Sequence, residues 1–338
     1  MKTYNVAVAG ALGLVGTTIV RILEEYNFPV GHLKLLESPE LVDAPVEFNG
    51  EILYTEEGTP QAFEGVDIAL FATHASVSEA LAPEAVKRGA LVIDNSSHFR
   101  LDPSVPLVVP EVNPQDADGN AGIIANPNCT TIGTVVVLKP IHDLSPITRL
   151  VASTYQAASG GAIRGQLELK KQAMDIAAGF KPTPPSVFDY QLAFNLIPFI
   201  DVFQDDGYTR EEMKLKHESR KILSASDMQV TCTSVRVPVL NCHSVSLNIE
   251  TGNHITAAEA REALSRAPGV QVVDDITALD FPQPINVDGG DIVEVGRIRQ
   301  DSSVENGLNL YCVSDNVRKG AAQNAVQIAQ LAVERGLV

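Results

Sequence analysis

The first twenty-five residues change their hydrophobic period once. Tyr4-Asn5-Val6-Ala7-Val8-Ala9 is a short β-rich run of small apolar residues. From Val15 onward the apolar positions, Ile19, Val20, Ile22 and Leu23, fall on one side of a helix. Strand followed by helix is the reading those two periods support. Further β-like runs lie at 33–36, 67–72, 91–95 and 122–125, with helical stretches between several of them. That alternation predicts an α/β layer with a parallel sheet. The pattern changes after residue 129. Residues 147–158 and 228–250 read as long strands, the second alternating through Val235-Arg236-Val237-Pro238-Val239. Between them stand a helix over about 164–178, a Pro-rich loop over 181–186 and a charged helix over about 209–224. This half predicts a mostly antiparallel sheet covered by helices on one face. Residues 316–334 read as one long helix that packs back on the first half. The expected division is therefore 1–127 with 316–338 as one domain and 128–315 as the other.

Composition narrows the function classes. A chain of 338 residues is too long for one compact core and suits two domains. Its formal charge of −17 argues against nucleic acid or an anionic membrane as a partner. The same charge means that an anionic substrate needs a local basic pocket. Four cysteines without framework spacing suggest reduced thiols and a cytoplasmic setting. There is no C-x-x-C pair and no H-E-x-x-H, so no metal is expected. No signal peptide is read, and no apolar run reaches the length of a membrane span.

The glycines give the first chemistry. Gly10, Gly13 and Gly16 stand at G-x-x-G-x-x-G spacing in the turn from strand to helix. Such glycines permit a tight turn and let backbone N–H groups reach a pyrophosphate at the helix N-terminus. One glycine there also serves purely backbone needs. Three, at the first βα turn of the chain, point to a dinucleotide cradle over Gly10, Leu12, Gly13, Leu14, Val15 and Gly16.

Cys129 follows Asn126-Pro127-Asn128 and precedes two threonines. Asn and Thr favour helix N-termini, and a thiol at a helix start is biased toward thiolate. The alternative is a small buried hydrophobe, as most free cysteines are. His243 follows Cys242, a rival thiol; neighbours on a strand face opposite ways, so Cys242 and His243 should not meet. Cys129 and His243 can meet across the fold, as a thiol nucleophile and its base do. Cys232 and Cys312 sit in apolar strands. Arg100, Arg236 and Lys214 are cations near these segments, and an Arg fork matches carboxylate or phosphate oxygens. Taken singly, each also fits a surface ion pair.

Several ordered segments together resemble the aspartate-β-semialdehyde dehydrogenase family over nearly the whole chain. They are the glycine turn, Asp94-Asn95-Ser96-Ser97-His98-Phe99-Arg100, Pro106-Leu107-Val108-Val109-Pro110-Glu111-Val112-Asn113 and the Cys129 segment. Ser153-Thr154-Tyr155-Gln156-Ala157-Ala158-Ser159-Gly160, Glu211-Glu212-Met213-Lys214, Arg236-Val237-Pro238-Val239 with His243, and Val313-Ser314-Asp315-Asn316 complete the set.

The resemblance implies a Rossmann-like dinucleotide-binding domain and an α+β catalytic and dimerisation domain of the glyceraldehyde-3-phosphate dehydrogenase type. It implies reductive dephosphorylation of L-aspartyl 4-phosphate, with release of phosphate, in the biosynthesis of lysine and diaminopimelate, methionine and threonine. Cys129 would carry the thioester, His243 would take the thiol proton and later return one, and Gln156 would position the substrate. Arg236 and Glu211 match the contacts to the substrate carboxylate and ammonium; Arg100, Asn128 and Lys214 match the phosphate site. Ser159 and Gly160 would border the nicotinamide, and Asn316 would touch the cofactor. A homodimer or homotetramer is implied, paired through the strand-rich region.

NADP is the family's cofactor, bound through an Ala-Ser-x-Arg-Ser type of loop. Here that loop reads Glu37-Ser38-Pro39-Glu40-Leu41-Val42-Asp43. An acid about 20 positions past the glycine turn accepts a ribose 2′-hydroxyl and repels a 2′-phosphate. Glu37 and Glu40 therefore suggest NAD preference or dual use. Ala11-Leu12-Gly13 replaces the family's Ala-Thr-Gly, removing one hydroxyl. Two competing readings are an N-acetyl-γ-glutamyl-phosphate reductase-like enzyme and a catalytically silent paralogue. Glu211 with Lys214 favours a substrate with a free amino group, and the presence of Cys129, Gln156, Arg236 and His243 argues against silence.

Overall fold

The computed structural model describes residues 2–338. The chain divides into two compact units, 1–128 with 321–338 and 129–320.

The first unit is built on a parallel sheet. Its elements are β1 (Tyr4–Ala9), α1 (Leu14–Glu25), β2 (Val30–Glu37), β3 (Pro45–Phe48), β4 (Glu51–Tyr54), β5 (Glu56–Glu57), β6 (Ile68–Phe71), α2 (Ala75–Lys87), β7 (Leu91–Asp94) and β8 (Ile123–Ala125). The sheet order is β5-β2-β1-β6-β7-β8 with every pair parallel. Strands such as Ile68–Phe71 and Leu91–Asp94 are buried at every position, as parallel strands covered on both faces require. Helix α1 turns Ile19, Val20, Ile22 and Leu23 into one core with Val6, Val8, Ile68 and Ile93. The C-terminal helix, Gln323–Glu334, contributes Ala325, Val326, Ile328 and Ala329 to that core.

The second unit contains α3 (Cys129–Leu144), β9 (Ile147–Gln156), α4 (Ala162–Ala177), α5 (Arg210–Ile222), β10 (Gln229–Arg236), β11 (His243–Thr251), α6 (Ala257–Arg266), β12 (Val270–Val272), α7 (Pro284–Val287), β13 (Val293–Asp301) and β14 (Gly307–Ser314). Its sheet runs β10-β9-β11-β14-β13-β12. The central three pairings are antiparallel, while β10/β9 and β12/β13 are parallel. Helix α3 is buried continuously from Thr130 to Leu138 and packs with α5 and α6 against the sheet. The opposite face carries half-exposed Val151, Ser153, Ser246, Asn248 and Tyr311, with Tyr155 more open.

Two expectations need correction. The single strand over 228–250 is two strands, ending at Arg236 and restarting at His243. Pro238 lacks an N–H for a ladder, and Cys242 sits at φ +71°, outside strand geometry. The helix over 316–334 is also interrupted. A wide π-type turn, Arg318–Ala322, precedes the C-terminal helix, and Asp315 anchors it by accepting from the N–H groups of Val317 (2.8 Å) and Arg318 (2.9 Å).

Candidate active site

Three strand ends in the second unit meet at one edge. Gln156 closes β9, Arg236 closes β10 as its register partner, and His243 opens β11 beside them. All three are buried. The break between β10 and β11 creates this edge, because an unbroken strand would carry the sheet past it.

The Ala157 peptide organises two of the three. Its N–H donates to His243 Nδ1 at 3.1 Å, and its carbonyl accepts from Arg236 Nη1 at 2.8 Å. With Nδ1 as acceptor, the proton of the neutral imidazole lies on Nε2. His243 Nε2 is buried and has no hydrogen-bond partner among the described residues. Burial, reinforced by the Arg236 charge, lowers the imidazole to about 3, so the ring is neutral near pH 7. Nε2 is therefore the ring atom left to exchange a proton with a reacting group.

Helix α5 supplies the counter-charges. Its capping box at Thr209 and Glu212 fixes where it begins, and this places Glu211 in the first turn. Glu211 accepts from Gln156 Nε2 at 3.2 Å and from Lys214 Nζ at 2.9 Å. Asp201 also accepts from Lys214, at 3.1 Å. Burial opposes the lysine charge, yet these two carboxylates raise its basicity overall. Arg236 is shifted the other way, because burial outweighs its attraction to Glu211 and to Cys129.

Cys129 is the first residue of α3 and is half-buried, with buried Asn128 directly before it. Gly320 lies against it: a Cβ on that glycine would stand 3.0 Å from the Cys129 Cβ. The other three thiols are poor nucleophiles. Burial pushes Cys232 and Cys312 up to about 12. Cys242 packs with Val287 and Val313 and is raised by burial, then by Asp315 and Asp288. Cys242, Asp288 and Asp315 alone among the described residues have metal-ligand spacing, but Asp315 already accepts from Val317, Arg318 and Gly289.

Ser159 and Asn316 are joined. Asn316 Oδ1 accepts from the Ser159 hydroxyl at 2.9 Å and from the Cys242 N–H at 3.0 Å. Gly160 lies beneath Arg236.

In the first unit, Gly10 has φ +78°, and a Cβ there would sit 2.5 Å from the Ala72 carbonyl oxygen. A Cβ on Gly16 would sit 2.0 Å from the Gly10 oxygen. At Gly13 it would meet only the Gly10 oxygen, at 3.4 Å. Gly10 and Gly16 thus serve packing, whereas Gly13 leaves the outer side of the turn open just where Leu14, Val15 and Gly16 begin α1. That opening fits a pyrophosphate. Glu37 Oε1 accepts from the Leu12 N–H at 2.7 Å, so an acid stands against the turn. Arg100 is buried and donates from Nη2 to the Asn95 carbonyl at 2.6 Å.

Family models match both halves: a semialdehyde dehydrogenase NAD binding domain over 5–119 and a semialdehyde dehydrogenase dimerisation domain over 138–319. The chain is 48% identical to an aspartate-semialdehyde dehydrogenase of Aquifex aeolicus across 99% of each sequence. It is 46% identical to that of Bacillus subtilis across 100% of this chain and 99% of the relative.

The chain belongs to the aspartate-semialdehyde dehydrogenase family.

A crystal structure of aspartate semialdehyde dehydrogenase II from Vibrio cholerae, complexed with ASA, superposes with a TM-score of 0.96 at 42% identity, covering 99% of both chains. Within this family frame, sequence reasoning missed two contributors. Asp201, the second partner of Lys214, lies in an irregular loop with no motif to mark it. Ala157 acts only through its peptide, which no side-chain pattern reveals.

Proposed function

We propose that this chain converts L-aspartyl 4-phosphate to L-aspartate 4-semialdehyde through a thioester on Cys129. The observation that carries this reading is the convergence of Gln156, Arg236 and His243 at one sheet edge, with the Arg236 charge favoured by Cys129. Arg236 takes the substrate carboxylate and attracts the Cys129 sulfur as thiolate. Glu211 takes the ammonium, and Gln156, held by Glu211, orients the acyl group. Lys214, Arg100 and Asn128 take the phosphate. Attack by the sulfur forms the C–S bond and breaks the acyl C–O bond; phosphate leaves with the proton that the thiol gave up. His243 donates its Nε2–H to the oxygen that becomes negative at each tetrahedral stage, a stabilisation worth orders of magnitude in rate.

A bound nicotinamide dinucleotide would supply the hydride. The glycine turn with Leu12, Leu14 and Val15 would hold its pyrophosphate, and Ser159, Gly160 and Asn316 would border the nicotinamide. Glu37, set against the Leu12 N–H, and exposed Glu40 are carboxylates that would repel a 2′-phosphate bound at this loop. We therefore favour NAD, or use of both dinucleotides, over strict NADP dependence. Two copies pair through the open sheet face bearing Tyr155 and Tyr311, whose rings stand 6.5 Å apart. Four cysteines outside any disulfide suit a reducing, cytoplasmic compartment.

The test is phosphate-dependent oxidation of the semialdehyde with NAD and with NADP. Cys129→Ala should lose about 10⁴-fold or more in rate. Activity retained by that variant would refute the thioester, and a large NADP preference would refute the cofactor reading.

A further inference from the structure

Arg236 is a buried fork that makes one hydrogen bond among the described residues, to the Ala157 carbonyl. The guanidinium thus keeps most of its five N–H donors for a ligand, and packing as well as hydrogen bonds positions it. The 181–203 segment does this. Ile197 pairs with the Arg236 backbone in both directions, at 3.0 and 2.9 Å. Phe188 lays its ring against the guanidinium, 5.5 Å from Cζ to the ring centroid.

Two glycines, which also make room for the Ala158 carbonyl oxygen and the Val187 side chain, leave space for the ring. A Cβ on Gly161 would stand 3.1 Å from the Phe188 Cε1, and one on Gly165 would stand 2.9 Å from its Cζ. Gly160 clears the fork in the same way, since its Cβ would fall 2.3 Å from Arg236 Nη1. The segment is latched from below by Glu168 on α4. That carboxylate accepts from the Ser186 N–H at 2.6 Å, the Ser186 hydroxyl at 2.8 Å and the Val187 N–H at 2.8 Å. Burial opposes its charge, but the Ser186 and neighbouring donors hold it below the usual carboxylate range.

We propose that Phe188, latched through Glu168, is a positioning residue that orients Arg236 for the substrate α-carboxylate. The ring blocks one face of the fork and keeps it aimed, so that two of its remaining N–H donors meet a planar carboxylate together. This rests on the assignment of Arg236 as the carboxylate-binding group.

The test compares steady-state kinetics of Phe188→Leu, Phe188→Tyr, Arg236→Lys and the Phe188→Leu/Arg236→Lys double variant. Phe188→Leu should raise the semialdehyde KM roughly tenfold. Its kcat and its KM values for phosphate and dinucleotide should change little. Phe188→Tyr keeps the ring face and should restore the KM. The double variant should be no worse than Arg236→Lys alone, because the two act as one unit. An unchanged KM in Phe188→Leu, a Tyr variant as impaired as the Leu variant, or additive losses would each overturn the proposal. A normal KM in Arg236→Lys would instead overturn the assignment of Arg236, and the proposal with it. Should Phe188→Leu fail to fold, Ser186→Ala removes one latch contact and should raise the same KM about twofold; no rise would overturn the proposal.

Discussion

The glycine turn of the first unit and the strand-end cluster of the second are built on opposite principles. The turn works by omission: Gly10 and Gly16 have no Cβ because the neighbouring carbonyl oxygens stand at 2.5 and 2.0 Å from where it would be. Its donors are backbone N–H groups, and the Glu37 carboxylate holds the turn itself. The cluster works by presence. Gln156, Glu211, Arg236 and His243 are buried polar side chains, each fixed by another group of the site. Adding an atom should therefore damage the turn, and removing one should damage the cluster.

The largest expected effect is in the cluster. Arg236→Gln keeps much of the volume and loses the charge that pairs with the substrate carboxylate. Losing one member of a desolvated charge pair should lower kcat/KM for the semialdehyde by roughly 10²–10³-fold. A loss confined to the phosphate KM would break the contrast by moving Arg236 to the other end of the substrate. In the turn, Gly16→Ala forces the start of α1 away from Gly10 and Ala11 and should cost about 2 kcal/mol of stability in a denaturant titration. Gly13→Ala, with only a 3.4 Å neighbour, should leave stability nearly unchanged and raise the dinucleotide KM. Equal destabilisation by both alanines would show that packing, not ligand access, selects all three glycines.

That contrast also explains what could be read from the chain. Omission is visible in sequence, because glycine spacing at a strand-to-helix change has few other causes; Tyr4–Ala9, the turn and α1 follow the pattern directly. Presence was visible residue by residue, but partnership was not. Glu211 and Lys214 stand one helical turn apart and could be paired from spacing. Asp201 reaches Lys214 from a loop thirteen positions away, and nothing local signals it. The strand over 228–250 misled because alternation through Val235–Val239 continues past Arg236, while the interruption depends on Pro238 and on a left-handed Cys242. Proline was the available warning. The interrupted helix after Asn316 had only Gly320 as a warning, and the Asp315 contacts reveal the wide turn.

The smallest expected effect tests whether the neutral His243 belongs to the fold or only to catalysis. Burial, with Arg236 beside it, lowers the ring from 6.5 to about 3 in the folded chain. Below the ordinary value, the unfolded chain takes up a proton that the folded chain does not. Stability should therefore fall as the pH drops from 6.5 toward 3, because the unfolded state binds more protons there. Between pH 7.5 and 5.5 this one residue should cost about 1 kcal/mol. His243→Gln removes the titrating ring, so its stability should decline less over that interval than that of the unsubstituted chain. Parallel declines would mean that the ring titrates in the folded chain as it does in the unfolded one, and is charged at the acid end of the interval. The cluster would then be holding two buried cations side by side, and His243 would enter the reaction as an acid from the start.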